Sequence, residues 1–82
     1  MERKCIVKGL MEVFQATGWV NMELAEKEES RFDSDLGFDS LDRIEICMDI
    51  ERKFGIEISD DEVASINTVG DAINLLDNII NN

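Results

Sequence analysis

The sequence predicts an all-α fold, a four-helix bundle with a long first loop and a short third helix. Three observations carry this. Apolar residues recur at helical rather than alternating spacing, the runs are bounded by capping residues or glycine, and the chain has no proline and only five glycines, too few for a turn-rich sheet protein. One domain over residues 1–82 is expected, because a chain of this length that is 44% hydrophobic supports one core.

The first helix is predicted from Glu2 to about Thr17, with Ile6, Leu10, Val13, Phe14 and Thr17 on one face and Gly18 as its stop. Gly9 lies inside it at a cost of about 1 kcal/mol relative to Ala, which points either to close approach of another element or to local fraying. From Trp19 to Asp39 no period persists. Glu23, Glu26, Lys27, Glu28, Glu29 and Ser30 read as a solvated loop, pinned to the core by Trp19, Val20, Met22, Leu24, Phe32 and Leu36. The second helix begins near Asp39 or Ser40, either of which can cap it, and stops at Gly55. Ile56, Glu57 and Ile58 form an extended link. Ser59 with Glu62 makes a capping box that opens the short third helix through Ala64 or Ile66, and Thr68 with Asp71 repeats the device less well for the last helix. There Val69, Ala72, Ile73, Leu76, Ile79 and Ile80 form one stripe.

Composition excludes several functions. Eight basic against 19 acidic side chains leave a formal charge of -11, which repels nucleic acid and anionic membrane. The bias is uneven: residues 32–82 hold 13 acids and 3 bases, so a cationic partner is expected to approach that part. No apolar run exceeds three residues, as in Cys5 to Val7, whereas a secretory core needs about 7 and a spanning helix about 20; a soluble, cytoplasmic monomer is the expectation. With no His and no Tyr, self-contained hydrolytic catalysis is not expected. Cys5 and Cys47 form neither a zinc site nor a dithiol motif, and both read as small buried thiols. Crowding among Asp33, Asp35, Asp39, Asp42, Asp60 and Asp61 predicts weak, diffuse stabilisation by divalent cations and no metal site.

The second helix has two apolar faces. At about 100° per residue with Leu41 at zero, Ile46, Ile50, Phe54 and Cys47 fall at about 140° to 240°, the core stripe. Leu41, Met48 and Ile44 lie nearly opposite, rimmed by Glu45, Asp49, Asp42 and Glu51. An apolar stripe framed by carboxylates suits protein docking; cover by the chain's own loop is the alternative. The segment before this helix fails as a calcium loop: counted from Asp33, the turn Gly belongs at position 6 and the bidentate Glu at position 12, where Phe38 and Ile44 stand. Ser40 has no base to activate it and read alone is a helix cap. At a helix N-terminus, however, a hydroxyl is well placed to carry a phosphate added by another enzyme.

The run Asp35-Leu36-Gly37-Phe38-Asp39-Ser40-Leu41-Asp42, followed by Ile44-Glu45, Met48, Glu51, Phe54-Gly55-Ile56, Ile58, Asp60 and Thr68-Val69, resembles the acyl carrier proteins of fatty acid synthesis. The likeness is strong over residues 32–76 and extends to the first helix only in pattern. It implies an acyl-carrier-like bundle in which Ser40 receives 4'-phosphopantetheine from coenzyme A by a separate Mg-dependent phosphopantetheinyl transferase. Acyl groups then ride as thioesters on that arm. It also implies that Asp39, Leu41, Asp42, Ile44, Glu45, Met48 and Glu51 meet basic patches on fatty acid synthase or polyketide enzymes. Arg43 occupies a place usually uncharged, Arg52 one commonly acidic, and Trp19 and Gly9 are unusual for the family. A specialised carrier for a polyketide or other secondary route, and an unmodified acidic adaptor in which Ser40 only caps the helix, stand beside the principal reading.

Overall fold

Each helix starts where a side chain can satisfy its free N-H groups, or where none is needed because the end is in solvent. The computed structural model describes all 82 residues. It comprises α1 (Arg3–Thr17), α2 (Met22–Ala25), α3 (Ser40–Phe54), α4 (Asp60–Ser65) and α5 (Val69–Asn81), with no sheet beyond one isolated bridge between Arg31 and Thr68. The all-α expectation holds, with four main helices and one addition. α2 is a single turn within the long loop, opened by Asn21, whose side chain accepts from the N-H groups of Glu23 and Leu24. A four-residue turn is too short to show a period.

The capping boxes of α4 and α5 form as predicted. Ser59 and Glu62 bond each other's backbone N-H at 2.9 and 3.2 Å, and Thr68 and Asp71 do so at 3.1 Å each. Asp71 is no poorer than Glu in this role, and its carboxylate also accepts from Asn67 N at 3.0 Å. α1 and α5 supply eight of the 17 core side chains, Ile6, Leu10, Val13, Phe14, Val69, Ala72, Ile73 and Leu76, which face Ile46, Cys47 and Ile50 of α3.

Gly9 is explained by close approach, not fraying. A Cβ at that position would lie 2.5 Å from Cζ of Phe54, so the ring occupies the space that any side chain would need.

Three expectations are corrected. Ser30 is buried, because its carbonyl accepts from Val69 N at 2.9 Å and draws the loop against the start of α5. Trp19 is 54% exposed and meets Phe38 edge-to-face, with centroids 5.4 Å apart, so it is not a buried pin. Cys5 is exposed, whereas Cys47 is buried as expected: on α1, Cys5 stands about 100° round from Ile6 and misses the core stripe.

Candidate functional site

The segment leading to α3 is a self-bonded loop. Arg31 N donates to the Asp35 carboxylate at 2.7 Å, Leu36 N to Arg31 O at 3.0 Å, and Gly37 N to Asp33 O at 3.1 Å. Gly37 turns the chain at φ 74°, a conformation strained for any side chain with a Cβ. The Arg31 guanidinium on Asp33 holds that carboxyl below its usual range. The next residue, Phe38, inserts into an aromatic cluster, edge-on to Phe32 at 5.2 Å and tilted on Phe14 at 5.9 Å. Two residues later the chain emerges at Ser40. An exposed serine is thus carried on a backbone fixed from beneath, worth more to a group that must be found by an enzyme than a hydroxyl on a mobile tip.

Asp39, not Ser40, caps α3. Asp39 Oδ1 accepts from Asp42 N at 2.8 Å and Asp42 Oδ2 from Asp39 N at 3.2 Å, a reciprocal box. Ser40 is the first helical residue. Its hydroxyl makes no intramolecular hydrogen bond, and the N-H groups of Ser40 and Leu41 have no acceptor within the chain. An exposed hydroxyl beside two unused donors at the positive end of a fifteen-residue helix can hold a phosphodiester.

Of the predicted docking residues, Leu41, Ile44 and Met48 are 62, 50 and 49% exposed, so no loop covers that face and the alternative of self-cover is removed. The acids around it divide. Asp42 is committed to the cap, and Glu51 Oε2 accepts from Ile58 N at 2.7 Å, bracing the link into α4. Asp49 pairs with Arg52 one turn on. Asp39 is exposed yet also occupied by the box. Glu45 alone of the five is exposed and has no intramolecular partner.

A groove of about 760 Å³ runs between α3 and α4 beside Ser40, walled by Ile44, Cys47, Met48, Ile58 and Val63. Burial pushes the Cys47 thiol up to about 11, only partly offset by Arg43, so it is an apolar wall and not a nucleophile at neutral pH. No three carboxylates or thiols converge as metal ligands. Serine, donors and groove together fit a phosphate-linked arm with an apolar cargo.

Residues 18–76 match the family described as phosphopantetheine attachment site. Over 53 residues the chain is 55% identical to an acyl carrier protein of Sulfurovum sp. (strain NBC37-1), covering 65% of this chain and 71% of that protein. This chain belongs to the acyl carrier protein family. A second member, from Wolinella succinogenes, is 53% identical over 51 residues, 62% of this chain and 67% of its own length. The chain is therefore a non-catalytic carrier of acyl thioesters in fatty acid synthesis, with a covalent 4'-phosphopantetheine as its prosthetic group. No helix is long and apolar enough to cross a membrane.

Sequence reasoning missed the role of Arg43. Its guanidinium donates to the carbonyls of Val63, at 3.3 Å, and Ile66, and lies 6.0 Å over the Phe32 ring. The available signal was the charge itself, in a place the family usually leaves uncharged.

Proposed function

We propose that Ser40 is the attachment site of the 4'-phosphopantetheine arm. The observation that carries this is an exposed, unbonded hydroxyl at the first position of α3, with two free N-H groups beside it and the groove alongside. When attached, the arm supplies a flexible thiol for the acyl thioester. In the loading step Ser40 Oγ gives up its proton and bonds to the phosphorus nearest the pantetheine, and the nucleotide part of coenzyme A leaves. The chain has no base for this step. Histidine and tyrosine are absent, and the neighbouring carboxylates of Asp39 and Asp42 are bonded to each other's backbone. A separate transferase has to provide it. Incubation with coenzyme A, Mg and a broad-specificity phosphopantetheinyl transferase is expected to add one arm by mass spectrometry, and Ser40→Ala to add none. Modification at Ser34 or Ser59 in that variant would move the site.

The same reading makes the face of Leu41, Ile44 and Met48 the docking surface, with Asp39, Asp42, Glu45 and Glu51 contributing negative potential toward basic patches on the transferase and on fatty acid or polyketide enzymes. Internal bonding of Asp39, Asp42 and Glu51 supports Glu45 as the acid most available to a partner. Exposed charges act over about 8 Å at physiological salt, so association is expected to slow as salt rises. Glu45→Lys is expected to lower the loading on-rate with stability shifted by about 0.5 kcal/mol or less. An unchanged on-rate removes Glu45 from the surface. A carrier acting as a cytoplasmic monomer on the main fatty acid route accords with this chemistry, and a specialised route would differ in partners and not in the arm.

A further inference from the structure

α4 is the least anchored helix of the molecule. None of its residues is fully buried: Val63 packs half-buried against the core, and only the flanking Ile58 and Ile66 enter it. What holds it from the side comes from α3, by two polar straps across the groove. Glu51 accepts from Ile58 N just before α4, and Arg43 donates to the Val63 and Ile66 carbonyls at its end. Both strap residues line the groove. Arg43 stands one turn beyond Ser40 on the same helix, so an apolar chain folding back from an arm on Ser40 meets it first. Pushing α4 aside would withdraw the guanidinium from both carbonyls; Val63 O would keep the Ile66 N-H at 3.3 Å, but Ile66 O has no other donor in the chain.

We infer that Arg43 is a latch that holds α4 over the groove and is the specificity-determining residue limiting how far this carrier shelters a saturated acyl chain. The inference rests on Ser40 bearing the arm, but the latch can be read without cargo. Hydrogen exchange of the unloaded protein is the first measurement. In Arg43→Met, which keeps an apolar stem and loses both donated bonds, the amides from Val63 to Asn67 are expected to exchange at least tenfold faster, with α1 and α5 unchanged. Arg43→Lys, able to reach one carbonyl, should fall between. Equal exchange in all three proteins overturns the latch, whatever the arm does.

The second measurement uses proteins loaded at Ser40 with acetyl or octanoyl phosphopantetheine, loading being verified by mass. Failure of the native protein to load would count against the site assignment and leave the exchange result standing. With loaded proteins, hydroxylamine is expected to cleave the octanoyl thioester several-fold more slowly in Arg43→Met than in the native protein, with acetyl cleavage equal in both. A purely structural arginine would change both lengths alike or neither, and either outcome overturns the specificity role. In the native protein, octanoyl loading should also raise α4 exchange relative to acetyl loading. Should the Met variant not fold, that comparison and the Lys variant decide the question, and octanoyl loading that leaves α4 exchange unchanged overturns the inference.

Discussion

α4 and α5 open with the same device and are held in different ways. Ser59 with Glu62 and Thr68 with Asp71 are equivalent capping boxes, yet α5 buries Val69, Gly70, Ala72, Ile73 and Leu76 while α4 only half-buries Val63. A cap decides where a helix begins. Burial decides how firmly it stays, because apolar area removed from water outweighs one or two exposed hydrogen bonds. The groove lies on the loosely held side, the loop staple of Ser30 on Val69 lies on the firm one, and α3 is fixed mainly by its core face.

The largest test of this contrast is Leu76→Ala. Leu76 is 1% exposed, so the substitution is expected to lower global stability by about 2–5 kcal/mol, visible as a fall in the urea midpoint with little change in slope. Val63→Ala in α4, starting half-buried, should move the midpoint much less. A comparable fall would show that α4 belongs to the cooperative core.

Cap removal sharpens the comparison further. Each cap is worth about 1 kcal/mol. Thr68→Ala should subtract that amount from global unfolding, because α5 cannot loosen separately. Ser59→Ala should appear mainly as faster amide exchange within α4, with a small urea shift.

The last effect shows only at alkaline pH. Cys47 walls the groove, and burial raises its thiol from an ordinary value of 9.0 to about 11. In that window the unfolded chain loses the proton while the folded one keeps it, so the thiol's contribution, fully present below pH 9, is lost as pH rises toward 11. Cys47→Val should flatten the decline. Exposed Cys5 should react at once with a thiol reagent, and the slower alkylation of Cys47 at pH 8 should track the opening of α4.

Much of this was legible in the chain. The α5 stripe, both capping boxes, the two faces of α3 and the position of Ser40 follow from period and capping chemistry, which are local. What escaped was non-local or subtler than a period. The burial of Ser30 depends on an N-H far along the sequence, and the job of Arg43 depends on carbonyls of another helix. Cys5 was misjudged from the habits of its residue type, although its angle from Ile6 on the helix already placed it outside the stripe. Within the candidate site, sequence identified which acids surround the exposed face of Leu41, Ile44 and Met48 but could not separate Asp42 and Glu51, bonded inward, from Glu45, which is free.

The notch at Gly9 has a consequence for the whole rod of α3. With the Phe54 ring seated where a side chain would be, α1 cannot ratchet by one turn along α3 without driving that ring onto Cys5 or Val13, so the two helices have a single axial register. Ser40 stands at the opposite end of the same rod, about 21 Å away at 1.5 Å per residue. A glycine on the far side of the molecule thus sets the height at which the serine is presented, like the datum edge from which a drilled hole is measured.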